Sequence, residues 1–453
     1  MSPSDSRWSM ILIPVRSRGA SNQDAGAPVM PVRGESSLSM PKISKILVLA
    51  VSLALVLVVF LGVRLNPVNA ATEGSDGAYK QINVYAEVLQ KIQQAYVVEP
   101  NIPEVTTGAL RGLLESLDAD SSYLTADDNK LLKARSTGSG KVGQAGLNVS
   151  KRFGYATVIS VVPGSPADRA GLVDGDFLES IDGQDTHNLS LAMIQKMLEG
   201  TPGSTLTVGV VRPGKNEPDK ISMSRTILNV PAVSESLYEN SSILYLKPAV
   251  IDHDHVQQIE AKLKSMQKTG SRKVLLDLRD VASGEMPEAT RLANLLLKNG
   301  TIAELEGQKF PKQVFTADPS KAVQPTAPMV VLVNRGTAGP AELVAAALLE
   351  NKRADLVGEK TFGEGGEQKT FDLPNGGALI LTIAKYESPS GKKLQDDGVT
   401  PNVIVASAAD QLESADTEAV GPGETAPAPP KKPTLQSDDQ LNKALEILKN
   451  KNA

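Results

Sequence analysis

Covalent hydrolysis of a peptide bond needs a nucleophile at a sharp turn, a base to take its proton, and amide hydrogens aimed at the developing oxyanion. Residues 331–368 have the layout for this chemistry. An apolar run at 331–333 reads as a buried strand. A tight turn follows, and Pro340-Ala341-Glu342 opens a helical stretch through Leu349. Strand, turn and helix N-terminus is how many hydrolases present a nucleophile. Here the turn offers Gly339, which has no side chain, followed by Pro340, which has no N–H. Glu364 lies further on in a glycine-rich segment, and Gln368 closes the run. The other reactive groups nearby are the hydroxyls of Thr337 and Ser283 and the amine of Lys360, the last spaced one helical turn before Glu364. A Thr or Ser in such loops is far more often a turn or cap residue.

The elements that must hold these residues form an α/β pattern over residues 229–408. Strands near 243–246 and 274–278 flank a helix at about 256–267, and a helix at 286–298 precedes the strand before Gly339. A further strand is expected at 377–384. Residues 79–135 read as a helical cap. Ile82, Tyr85, Leu89, Ile92 and Tyr96 recur at helical spacing, and Leu110, Leu113, Leu114 and Leu117 form a second apolar face. Asp252-His253-Asp254-His255 opens a helix, where Asp is a common cap. Adjacent residues do not share a helix face, so no metal site is expected there, and no cofactor is implied.

The active-site run resembles the C-terminal processing peptidases, or tail-specific proteases, a Ser-Lys family. Their pattern is Asn-x-x-Ser-Ala-Ser-Ala-Ser-Glu, then, after an alanine-rich helix, Arg-Ala-x-x-x-Gly-x-x-Thr-Phe-Gly-Lys-Gly-x-x-Gln. The chain matches without gaps at Asn334, Ala338, Glu342, Arg353, Ala354, Gly358, Thr361, Phe362, Gly363, Gly365 and Gln368. The resemblance implies that Gly339 stands at the nucleophile's position and Glu364 at that of the general-base lysine. Of a Ser-Lys-Gln set, Gln368 alone remains, and Pro340 occupies the oxyanion-donor position. Asp277-Leu278-Arg279 is kept, whereas the family's following Pro-Gly-Gly is not. Leu117-Asp118-Ala119-Asp120-Ser121-Ser122-Tyr123-Leu124 resembles the family's Leu-Asp-Pro-His-Ser-x-Tyr-Leu and reads as structural. The likeness covers about residues 79–408 and the last helix.

Residues 140–228 are β-rich with one main helix, expected at about 191–198. Gly164-Ser165-Pro166-Ala167, Ala170-Gly171-Leu172, Gly175-Asp176 and Ile181-Asp182-Gly183 follow one another in an order that resembles a PDZ domain. Such a domain adds an extended C-terminal tail as a strand and seats its carboxylate on turn amides. The turn here is Gln144-Ala145-Gly146-Leu147. Leu147 and Val149 share a strand face, and Leu191, Ile194 and Leu198 share a helix face. Together they are expected to line a pocket for an apolar terminal side chain, although a PDZ core needs apolar residues at these places in any case.

The chain has 453 residues, more than one domain's worth. There are no cysteines, which removes disulfides and thiolate catalysis. A net charge of −5 argues against nucleic acid as a partner. Residues 46–63 are an almost unbroken apolar run behind Lys42 and Lys45. As a helix the run reaches about 27 Å, near the hydrocarbon thickness of a bilayer. Val68-Asn69-Ala70-Ala71 then resembles a cleavage site. Residues 40–70 are therefore a signal peptide cut after Ala70 or an uncleaved membrane anchor, and either places the remainder across the membrane, in a periplasm or cell envelope. Residues 1–39 fit neither and read as a non-native extension ahead of a start at Met40, or as a disordered tail. Residues 409–435 are Pro-rich and read as a disordered linker. Within 436–451, Ser437 and Gln440 form an expected capping box ahead of an amphipathic helix carrying Leu441, Ala444, Leu445 and Leu448. This helix is expected to dock on the chain's own body or on a partner subunit.

The expected architecture is thus an α/β multidomain protein with a helical segment, a PDZ domain and a peptidase-like core. Three functions are open: a proteolytically inactive binder of polypeptide C-terminal tails, an active peptidase using different residues, and a regulatory partner of an active homologous peptidase.

Overall fold

The computed structural model describes residues 75–136, 142–152, 154–212, 217–407 and 438–451. The apolar run at 46–63, the extension at 1–39, the cleavage site and the linker at 409–435 lie outside them. The chain divides into two units between Gln90 and Lys91. Helix α1 (Ser75–Ala95) carries the first apolar series, but Ile82, Tyr85 and Tyr96, the last just beyond its end, are exposed. Helix α2 (Ile102–Glu115) starts on the Asn101 cap and buries Leu114, whereas Leu113 and Leu117 stay in solvent. The turn after α2 is organised by Asp118, whose Oδ1 accepts from the amides of Asp120 (3.0 Å) and Ser121 (2.7 Å). It leads into β1 (Ser122–Leu124) and α3 (Ala126–Ser136).

The β-rich segment follows: β2 (Gly143–Gln144), β3 (Leu147–Arg152), β4 (Tyr155–Val161), α4 (Pro166–Arg169), β5 (Phe177–Ile181), β6 (Gln184–Asp185), α5 (Leu191–Leu198), β7 (Glu199–Gly200), β8 (Thr205–Val211) and β9 (Asp219–Ser224). One sheet runs β3-β4-β5-β8-β9, with β3 at its edge. Ser190 caps α5 through the amide of Met193. Ala156, Leu178, Ile181, Ile194, Leu206 and Val208 fill the core beneath that helix.

A second six-stranded sheet combines β10 (Ser234–Tyr238), β11 (Ile243–Lys247), β12 (Lys273–Asp277), β15 (Met329–Val333), β16 (Asp355–Gly358) and β19 (Val403–Ile404), in that order. It is parallel apart from β10. Helices α6 (His253–Ser265), α7 (Met286–Leu296) and α8 (Pro340–Glu350) cover one face. An antiparallel sheet packs beyond them: β1, β13 (Thr301–Gly307), β14 (Phe310–Thr316), β17 (Gly366–Asp372) and β18 (Ala378–Glu387). Because α8 lies between layers, it is apolar nearly all round, as a helix buried on every side must be.

Strand alternation sends Val331 and Val333 to the α8 face and Val330 and Leu332 to the other. That second face is covered by α9 (Asp439–Asn450) through Leu441, Ala444, Leu445 and Leu448, so the last helix docks on the chain's own sheet. Its cap differs from the expected box. Asp438 accepts the Leu441 amide at 3.0 Å, while Gln440 is buried and donates to the Val405 carbonyl at 2.9 Å. Ser437 lies outside the described residues. Asp438 wins because it is also paired with Arg279, which an amphipathic pattern read along the helix alone does not reveal.

Candidate functional site

The turn between β15 and α8 is fixed by side chains that return to the backbone. Asn334 Nδ2 donates to Asp280 Oδ1 at 2.7 Å, and Asn334 Oδ1 accepts the Gly336 amide at 3.1 Å. Thr337 is fully buried; its hydroxyl donates to the Leu278 carbonyl at 2.8 Å and accepts the Asn334 amide at 3.0 Å. It is a turn residue, closed to any substrate. Gly339 follows with φ 55° and ψ −115°, a conformation that side chains disfavour. Apart from its chain neighbours, a Cβ built there meets only Glu364 among the described residues, at 3.9 Å from Oε2. The turn is the sharp, strained elbow on which hydrolases expose a nucleophile, but it carries none. Pro340 occupies the first helical position, where a missing N–H costs the helix nothing.

Glu342, one turn into α8, is the hub of the site. It is fully buried. Oε2 accepts the amides of Gly339 (2.9 Å) and Glu364 (2.8 Å), and Oε1 accepts the Gly363 amide (2.7 Å) and the Thr361 hydroxyl. One carboxyl thereby ties the elbow to the glycine-rich loop. Burial pushes it up to about 7, against the pull of these four donors. The legible signal was its place three residues after Gly339, the N3 position from which an acidic side chain reaches back to the helix start.

Glu364 is different. Its amide is held by Glu342, but its carboxyl takes part in no hydrogen bond or ion pair among the described residues. It is largely enclosed, and its remaining exposure faces a cavity. Burial, then the charges of Asp120 and Glu342, push it up to about 8. Asp120 is raised to about 6 by burial and by Asp118. Asp120 reaches the loop through Gln395, which donates to Asp120 Oδ2 at 3.2 Å and accepts the Gly365 amide at 2.8 Å. Asp120 and Gln395 were missed at the sequence level, because 275 residues separate them and no local pattern joins them.

The cavity has a volume of about 270 Å³ and is lined by Ala145, Gly146, Leu147, Val149 and Leu198 on one side and by Ala282 and Glu364 on the other. Gly146 has φ 87°, and a Cβ there would sit 2.2 Å from Ser165 Cβ, so only glycine fits. The carbonyls of Ala145 and Gly146 accept the amides of Ala167 and Val162 at 2.9 Å each. Their own amides are engaged by no backbone partner among the described residues. Leu191 and Ile194 do not join the cavity wall; both are buried in the core beneath α5. The same apolar spacing serves packing and lining, and only the helix's rotation distinguishes the two.

The remaining candidates fall apart. Residues 360–365 form an extended loop, so the helical spacing of Lys360 to Glu364 does not apply. Lys360 is exposed and lines a separate cavity of about 290 Å³ with Arg335 and Phe362. Ser283 is held by its backbone, its carbonyl accepting the Ile251 amide at 3.0 Å. Gln368 is exposed on β17 opposite Thr382. Asp252 caps α6 through the His255 amide at 2.9 Å. Among the described residues no cluster of His, Cys, Asp and Glu is arranged to hold a metal, and no helix is long and apolar enough to cross a membrane.

Comparison with known proteins agrees with this arrangement. Residues 242–405 match peptidase family S41, and residues 157–212 match the PDZ domain. A carboxy-terminal-processing protease of Bartonella bacilliformis is 30% identical over 339 residues, covering 74% of this chain and 77% of that protein. The chloroplastic carboxyl-terminal-processing peptidase 2 of Arabidopsis thaliana is 29% identical over 390 residues, covering 78% of this chain and 74% of that one. Among solved structures, a photosystem II D1 C-terminal processing protease superposes with a TM-score of 0.59 at 24% identity, covering 71% of this chain and 92% of that one, which is a likeness of fold. The strained elbow ahead of α8, the sheet that carries it and the PDZ module beside it therefore belong together, and the chain is a member of the C-terminal processing peptidase family.

Proposed function

We propose that this chain is a proteolytically silent member of its family, exported or membrane-anchored through residues 40–70, that captures polypeptide C-terminal tails without cutting them. The observation that carries this reading is the pairing of Gly339 with Glu364. The elbow backbone is kept, but the position that faces the would-be base has no hydroxyl, and the would-be base is a carboxyl rather than an amine. A Ser-Lys mechanism needs both groups. Pro340 removes a third contribution, since loss of one oxyanion donor costs about 10²–10³ in rate. Thr337 is no substitute, because its hydroxyl is buried and doubly engaged. The PDZ turn, by contrast, keeps what tail capture needs: amides at Ala145 and Gly146, an edge strand at β3 and the apolar wall of Leu147, Val149 and Leu198.

The test incubates the purified full chain with peptides ending in apolar residues and follows binding and cleavage together. Saturable binding without cleavage is the expected result. Cleavage that persists after contaminants are excluded would sink the silent reading. Export is tested separately by fusing a reporter active only outside the cytoplasm after residue 75; an inactive fusion would remove that part of the proposal.

A further inference from the structure

The cavity that joins the PDZ turn to the catalytic-like loop has an uneven chemistry. Among the described residues its wall carries Glu199 and Glu364 but no lysine, arginine or histidine. Glu199 is occupied, accepting from Gln144 Nε2 at 3.3 Å. Glu364 is enclosed and its carboxyl has no partner among the described residues, although Glu342 beside it accepts four donors. A carboxyl that opens only onto a largely enclosed cavity is incompletely solvated, so a group of opposite charge entering that cavity is favoured. Behind it stand Asp120, Asp118 and Glu342, so the field at this wall is negative. Lys385, whose charge reaches Asp120, is drawn to Asp396 at 3.3 Å.

We propose that this cavity takes a cationic side chain, lysine or arginine, of the captured polypeptide, with the Glu364 carboxylate as its counter-ion. The inference rests on tail capture by the PDZ groove and names the tails that would be preferred. The terminal carboxylate goes to the Ala145 and Gly146 amides, and the cation goes to Glu364. An apolar side chain at that wall would leave the carboxyl unpaired; an ammonium or guanidinium supplies a charge-assisted hydrogen bond. Because the cation favours the ionised carboxylate, binding releases a proton from Glu364, and affinity for a lysine-bearing tail rises with pH from about 6 to 8.5 while the lysine itself stays charged.

The experiment uses the full chain and fluorescein-labelled decapeptides ending in valine. One lysine is walked through the last five positions, each peptide matched by its norleucine counterpart, and anisotropy is read at pH 6, 7 and 8.5. Lysine should bind about 10-fold tighter than norleucine at one position, the gain expected of a hydrogen bond between charged groups, and the preference should grow with pH. In Glu364→Gln the preference should vanish, with circular dichroism and a cooperative melt showing separately that the variant is folded. In Glu364→Lys it should invert. Equal binding of lysine and norleucine peptides at every position, or a preference that survives in both variants, overturns the cation site and leaves tail capture standing. Failure of every peptide to bind overturns tail capture, and the cation site with it.

Discussion

A side chain at Gly339 would point its Cβ at Glu364, 3.9 Å from Oε2, with no other described residue within 4 Å apart from its chain neighbours. The two positions to which the family resemblance assigns a nucleophile and its base therefore face each other across a gap wide enough for a hydroxyl.

That relationship predicts a graded rescue. Gly339→Ser alone should remain inactive, because a carboxyl beside it and Pro340 after it supply neither a neutral amine nor an oxyanion N–H. Gly339→Ser with Glu364→Lys should show weak cleavage of apolar-ending peptides, and adding Pro340→Ala should raise the rate about 10²-fold. Cleavage products and covalent labelling of the introduced serine by a phosphonate, both read by mass spectrometry, check the series. The elbow conformation makes Gly339→Ser cost about 1–3 kcal/mol in stability.

Stability should fall as pH rises from about 5 to 8. Glu364 is held near 8 and Asp120 near 6, both above the unfolded carboxyl range, so the folded chain holds protons that the unfolded chain has lost. Their contribution is most favourable at low pH and is lost as pH passes through the folded values. Glu342 adds to the same trend. Glu364→Gln should raise stability at pH 8 by about 1–3 kcal/mol and change it little at pH 5. Denaturant melts at the two pH values check this, and a stability that increases over the range would contradict it.

Arg279 fastens the last helix. Its guanidinium bonds both oxygens of fully buried Asp277 and both oxygens of Asp438, the α9 cap. Tyr245 completes the network with a 2.9 Å bond to Asp277 Oδ2. Arg279→Ala leaves a buried carboxylate without its cation and should cost about 3–5 kcal/mol. Hydrogen exchange should show residues 439–450 losing protection ahead of the rest of the sheet.

Gly146→Ala should abolish tail binding. The new methyl would meet Ser165 Cβ at 2.2 Å on a positive-φ backbone, so the turn that presents the Ala145 and Gly146 amides has to move. The expected loss is more than about 10-fold in Kd, the scale of one charge-assisted contact, alongside a stability cost of about 1–3 kcal/mol from the strained turn; titration calorimetry against an apolar-ending peptide, run well below the melting temperature, reads it.

The chain's own order of residues determined the local pieces. Period-two and helical apolar patterns located α5, β11, β15 and α8, and the family resemblance of the glycine-rich register singled out Gly339 and Glu364 before any fold was built, because these signals need only neighbours along the chain. The tertiary structure decided everything that depends on which faces meet. It turned Leu191 and Ile194 into core, buried Thr337, sent Lys360 to another cavity, and moved the cap of α9 from Ser437 to Asp438 because Arg279 waits there. It also gathered Asp120, Glu342 and Glu364 around one loop and opened that loop to the PDZ turn. Burial and long-range charge set the behaviour of those carboxyls, and neither exists until segments more than 200 residues apart are packed together.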